Sequence, residues 1–211
     1  MTLSRRLAAA AYALLAACAT FALGRAVGRA PDPSWLMGPQ ASWVNHATAV
    51  AWAVTQLGYF YLMLPVTIAL ALLAVVFRAW RSRLIFAVLE ILLAWRSTDL
   101  LQRFFARPRR LDWVVKHETS FSYPSSHAAV AATLYLLLAV FVVRSALPGR
   151  AWIASALGLL SLAILWSRLA LGAHYLTDVA GGLLWGSAVT AALAACWPTN
   201  VFEGRAAPSL E

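Results

Sequence analysis

Charge is what this chain has least of. Asp, Glu, Lys and Arg make up 12% of its 211 residues, where a soluble globular domain carries roughly 25%. With 62% of the residues apolar, the chain has too little polar surface to cover a water-facing fold. Cysteine is nearly absent as well. Cys18 and Cys196 both lie in apolar runs, which excludes a disulfide framework and predicts small buried hydrophobes. No Cys/His spacing typical of a metal site occurs, and no paired carboxylates occur of the kind a two-metal phosphatase needs. Internal repeats are missing, and no stretch is polar enough for a soluble domain. The net charge of +9 would suit nucleic acid, but the basic residues sit in short clusters between apolar runs. Membrane charge bias and an anionic substrate account for them better.

What is present is a series of long apolar runs. Six approach the roughly 20 residues needed to cross a bilayer, at about 7–27, 59–77, 84–105, 124–143, 151–169 and 175–197. The first follows Arg5 and Arg6 and is too long for the core of a cleaved signal, so it reads as a retained span. Residues 31–42 carry three prolines and a glycine and read as a loop. Residues 43–57 are apolar but short, an interfacial helix or an early part of the second span. The expectation is an all-α integral membrane protein, one membrane-embedded domain over residues 1–211 with six transmembrane helices.

Counting Arg and Lys in the short loops gives eight on each side, with Arg96 left inside a span. The tie resolves if one outer cluster binds phosphate instead of reporting topology. The remaining bias then places both termini in the cytoplasm.

Three polar segments interrupt the apolar background. Gln102 to Arg110 ends the third span, Tyr123-Pro124-Ser125-Ser126-His127 begins the fourth, and Ser167-Arg168 through His174 to Asp178 bridges the fifth and sixth. Alternation of spans puts all three at one membrane surface. His174 and Asp178, four apart, share one helix face. The carboxylate can fix the imidazole tautomer and free the other nitrogen as base or nucleophile, although the spacing also suits a structural pair at a helix mouth. Ser125 or Ser126 can cap the fourth helix, whose free N–H groups favour an anion. His127 in its first turn can bond a phosphoryl oxygen or protonate a leaving group, whereas a plain cap explains only the serines. Arg107, Arg109 and Arg168 approach the same surface with guanidinium forks suited to phosphate. Arg103, Arg110 and Lys116 read as headgroup-facing charges, Tyr123 and Tyr175 as interfacial anchors, and Glu90 and Arg96 as packing or headgroup contacts.

These segments resemble the type 2 phosphatidic acid phosphatase family, whose pattern is K-x6-R-P, P-S-G-H and S-R-x5-H-x3-D. The third motif is complete from Ser167 to Asp178. The second appears as Pro124-Ser125-Ser126-His127, with Ser126 where glycine is usual. In the first, Gln102 stands in the lysine place, Arg109 in the arginine place and Arg110 in the proline place. A shifted register would use Arg107-Pro108 and put Leu100 in the lysine place.

The resemblance, carried by residues 102–178, implies that His174 attacks phosphorus to form a phosphohistidine and that Asp178 orients it. His127 would protonate the leaving oxygen, and water would then release phosphate. Arg109, Arg168 and Ser126 would hold the phosphoryl oxygens, with Ser125, Gln102 and Arg107 completing the phosphate-binding set. No cofactor or metal is implied, no protein partner is required and no nucleic acid is bound. The substrate would be a lipid-linked phosphate or diphosphate: a polyprenyl diphosphate, phosphatidylglycerophosphate, phosphatidic acid or a lipid A phosphate. The expected place is the bacterial inner membrane, with the site on the outer face. A lipid phosphotransferase would use the same histidine, and a lipid-binding, scrambling or transport protein would instead need polar residues along a mid-membrane path.

Overall fold

A computed structural model describes residues 2–36, 48–109, 118–198 and 201–202. Arg110 and Lys116 therefore lie outside the described residues. Every regular element among the described residues is helical. Helix α1 (Leu3–Val27) is apolar on nearly all sides and ends at Gly28, whose φ of 54° stops the helix. Helix α2 (Thr48–Thr55) runs through a single 3₁₀ turn into α3 (Phe60–Val76). Then come α4 (Arg81–Phe105), α5 (Thr133–Val143), α6 (Arg150–Ala170) and α7 (Leu176–Cys196). A wide π turn, His127–Ala132, leads into α5.

By length and composition, α1, α6 and α7 each qualify to cross a membrane, and the α2–α3 pair qualifies as one span bent by 43°. Helix α4 is long enough, but Glu90, Arg96, Asp99 and Arg103 make it too polar to qualify on composition. The helix from His127 to Val143 is apolar but short. The interfacial stretch expected at 43–57 is represented by α2, and its first five residues lie outside the described set.

The helices bury many alanines and a few large side chains inward and leave many large apolar residues outside. Leu14, Leu15, Ile68, Leu72, Val75 and Leu159 are all exposed, which is what a lipid-facing surface requires. Both cysteines are exposed too, against the expectation of burial. A small hydrophobe is as well solvated by lipid as by protein, so apolarity alone does not say which way it faces. The core is built by α3, α4, α5 and α6 around Phe86, Leu134, Phe141 and Ile164. Helix α7 packs along α1 on one side and against the π turn on another. There Gly182 and Gly186 admit the backbone of Ser125 and Ala129; a Cβ at either glycine would overlap those carbonyl oxygens. Thr133 donates through its hydroxyl to the Ala128 carbonyl five residues back at 3.0 Å.

Candidate active site

The turn between α6 and α7 is tight because Gly172 takes φ of 66°. It folds back so that the N–H groups of Ala173 and His174 both donate to the Arg168 carbonyl, at 3.0 and 3.3 Å. Arg168 and His174 are thereby held by one short loop. At the start of α7, Asp178 Oδ2 accepts from the Tyr175 N–H at 2.9 Å and from the Ser122 hydroxyl. Its Oδ1 accepts from Arg107 at 2.6 Å. His174 Nδ1 lies 3.5 Å from Asp178 Oδ2, and the ring also donates to the Ser122 backbone.

These contacts assign the tautomer. Arg109 Nη1 lies 2.9 Å from His174 Nε2, and a guanidinium can only donate. Nε2 is therefore the acceptor and Nδ1 carries the hydrogen. Burial, and next the charge of Arg109, hold the His174 pKa well below its ordinary value. The imidazole is neutral, with its lone pair on Nε2, as a nucleophile requires.

Arg109 spans the loops. Its Nε donates to the Ser120 carbonyl at 2.9 Å, Nη2 to the Ser120 hydroxyl at 2.8 Å, and Nη1 to the Ala173 carbonyl at 3.1 Å. Burial, and next the neighbouring Arg168, push its pKa down to about 10, so it stays charged at neutral pH. Arg168, at the end of α6, donates to the Thr55 hydroxyl at 2.7 Å and lies 3.8 Å from Glu118. Tyr59 donates to the same Glu118 at 2.5 Å.

A cavity of about 220 Å³ is lined by Arg109, Arg168, Glu118 and Tyr59, whereas His174 and Asp178 are fully buried behind Arg109 and do not line it. Its polar end carries Arg109, Glu118, Ser120, Ser126, His127 and Arg168, and its other end is Met63, Leu64, Ile91, Leu92 and Trp95 from α3 and α4. His127 is enclosed there, and its Nε2 has no hydrogen-bond partner. The ring meets the edge of Tyr59 at 4.8 Å and occupies the space a Cβ on Gly58 would need. This contact falls at the bend between the 3₁₀ turn and α3. A bare glycine beside the histidine permits the close approach that the bend requires.

The remaining residues singled out in the sequence take other places. Arg107 is buried between Asp178 and Asp32, its Nη2 2.9 Å from Asp32 Oδ1, and its guanidinium lies 4.3 Å from the Tyr175 ring centre. Gln102 is buried and donates to the Pro124 carbonyl at 2.9 Å; it does not line the cavity. The Ser125 N–H donates to the Asp178 carbonyl at 2.9 Å, and its hydroxyl is buried without a partner. Ser126 stands at the helix N-cap, but its side chain makes no capping bond, so neither serine caps through its hydroxyl. Tyr123 and Tyr175 are buried, not interfacial. Tyr123 donates to the Thr20 carbonyl at 2.5 Å, and Tyr175 lies under Arg107. Arg103 and Arg96 face outward and pair with Asp99, whereas Glu90 is fully buried.

Sequence reading passed over Asp32, Thr55, Tyr59, Glu118, Ser120 and Ser122. For the two acids a signal existed: the chain has only eight Asp and Glu, and each acid in so apolar a chain invites a search for its cation. Among the described residues, no group of three His, Cys, Asp or Glu side chains gathers to hold a metal ion.

The chain was compared with known proteins. The family model described as "PAP2 superfamily" matches residues 6–202. Phosphatidylglycerophosphatase B of Bacillus subtilis (strain 168) is 29% identical over 150 residues, which is 66% of this chain and 68% of that protein. Among solved structures, the transmembrane PAP2-type phosphatidylglycerolphosphate phosphatase from Bacillus subtilis aligns with a TM-score of 0.68 at 22% identity, covering 84% of this chain and 92% of its own. LpxE from Aquifex aeolicus aligns with a TM-score of 0.58 at 22% identity, covering 75% and 94%. These two likenesses speak for the fold.

Proposed function

The chain belongs to the PAP2 superfamily and is a lipid phosphatase, and from that premise we propose that it hydrolyses a lipid-linked phosphate through a phosphohistidine on His174. The observation that carries the reading is the state of His174: neutral, its Nδ1 held beside Asp178 and Ser122, its Nε2 lone pair meeting the cation of Arg109. A phosphoryl group entering the polar end of the cavity takes the guanidinium of Arg109 for its oxygens and so releases Nε2. Attack by Nε2 on phosphorus forms the P–N bond as the P–O bond to the lipid breaks. His127 delivers the proton to the departing oxygen. Water then attacks phosphorus, losing a proton to His127, and the P–N bond breaks to release phosphate and restore His174. Arg109 and Arg168 neutralise the charge that builds on the phosphoryl oxygens, and Ser126 lies at the same end. On this geometry Gln102, Arg107 and Ser125 act from behind, holding Pro124 and Asp178.

The lipid character of the substrate rests on the rest of the cavity. Phe60, Leu64, Leu92 and Trp95 line it and are exposed on the outside of the bundle, so the polar end is reached from the lipid side. Phosphatidylglycerophosphate, the substrate named for the Bacillus subtilis relative, is the first to test. Polyprenyl diphosphate, phosphatidic acid and lipid A phosphate present the same terminal group. We assign six membrane passes, with both termini cytoplasmic and the site at the outer face of the inner membrane. The test is phosphate release from these four lipids in detergent, without added metal, by wild type and His174→Ala. We expect release by wild type alone; a His174→Ala variant as active as wild type refutes the mechanism.

A further inference from the structure

Arg107 carries one positive charge and touches two carboxylates. Its Nη1 lies 2.6 Å from Asp178 and its Nη2 2.9 Å from Asp32, and the side chains of all three are fully enclosed. Asp32 reaches this place from the loop after α1. It accepts from the Thr177 N–H at 3.2 Å and from the Thr177 hydroxyl, and so caps the N-terminus of α7 from outside the helix. Arg107 is fixed from behind by the Ala30 carbonyl, at 2.8 Å from Nη2, two residues before Asp32. Loop, arginine and helix start form one closed network, with His174 on its far side.

Two carboxylates against one guanidinium leave the enclosed network with an excess negative charge. With Asp178 alone, the arginine would cancel the carboxylate that faces His174 Nδ1. We propose that Asp32 is a positioning residue for the phosphatase reaction: with Asp178 it sets two carboxylates against the one guanidinium of Arg107, so that the network turns net negative charge toward His174. The role matters most when the imidazole gains positive character, as it does once Nε2 is bonded to phosphorus. Arg109 and Arg168 oppose that charge from the cavity side and Arg107 opposes it from behind, so the two carboxylates are what is left to offset three cations. This inference rests on the phosphohistidine reading above.

Charge and anchoring can be separated by substitution. Asp32→Asn keeps one oxygen to accept from Arg107 and the Thr177 hydroxyl, removes the charge, and gives up the acceptor for the Thr177 N–H. Asp32→Glu keeps the charge and displaces the contact. Full-length variants in detergent are assayed on dioctanoyl phosphatidic acid, with thermal midpoints measured alongside. Partners that hold a metal-bound histidine typically contribute about 10–100-fold, and a buried partner of this histidine is taken on the same scale. The expected result for Asp32→Asn is a kcat lowered on the order of tenfold at nearly unchanged KM, with Asp32→Glu retaining more of the wild-type kcat. Wild-type kcat in Asp32→Asn, or a kcat in Asp32→Glu below that of Asp32→Asn, overturns the proposal. Failure of Asp32→Asn to fold makes the residue an anchor and overturns it equally. His174→Ala, run in the same series, tests the underlying reading: activity there removes the phosphohistidine itself. An inactive His174→Ala beside a fully active Asp32→Asn removes only the role of Asp32.

Discussion

Replacing Arg107 by methionine, similar in length but uncharged, puts a number on the network that holds Asp178. In the native structure the arginine is enclosed with Asp32 and Asp178 at 2.9 and 2.6 Å and donates to Thr177 at 2.7 Å. Its removal leaves two carboxylates buried without their counter-ion. Breaking such a pair from one side costs about 3–5 kcal/mol. For a chain of this size each kcal/mol moves the thermal midpoint by roughly 2–4 °C, so the expected drop is roughly 6–20 °C. Arg103→Met is the control. Its ion pair with Asp99 is 3.2 Å long, but the arginine side chain is 72% exposed, and surface pairs contribute about 0–1 kcal/mol. Tryptophan fluorescence on heating in detergent serves as the assay, since the chain has ten tryptophans. Adding Asp32→Asn to Arg107→Met should recover part of the loss by removing one stranded carboxylate. An Arg107→Met midpoint no lower than that of Arg103→Met refutes the buried-network argument.

Two further predictions follow from the packing and the electrostatics. Gly186→Val should destabilise by about 1–3 kcal/mol or more, because its Cβ would overlap the Ala129 carbonyl and Thr133; Gly158→Ala, inside α6 with open space around it, should hold or raise the midpoint, and the comparison fails if the two behave alike. The depressed pKa of His174 sets a sign for pH. Below the ordinary value of 6.5 the unfolded chain takes up a proton that the folded chain refuses. The His174 contribution to stability is therefore complete above about 6.5 and is lost as pH falls from there toward the folded pKa. The denaturant midpoint should decline from pH 7.5 to 5.5 more steeply in wild type than in His174→Gln, and a shallower wild-type decline contradicts the assignment.

The helices were legible because lipid imposes its demand locally: each run must be apolar over its own length and must satisfy its own backbone. The complete spacing from Ser167 to Asp178 was legible for a related reason, since the histidine and the carboxylate are only four residues apart, although His174 lies in the loop ahead of α7 and not on a shared helix face. Orientation of single side chains was not. Cys18 and Cys196 read as buried and face outward, while Tyr123 and Tyr175 read as interfacial and are enclosed, because in a bilayer apolarity marks both the inside and the outside of a bundle.

The sequence by itself determined the solvent and the helical class, and it named two histidines and their neighbouring arginines as candidates for the site. Tertiary structure decided how the cations divide their work. Arg107 and Arg109 are two residues apart and chemically equivalent on paper. In the fold, Arg109 meets the His174 lone pair and Arg107 turns the other way into two carboxylates. The partner that draws it there, Asp32, is 75 residues distant in the chain. No local pattern connects them, because a buried charge is placed by whichever opposite charge the packing brings within reach.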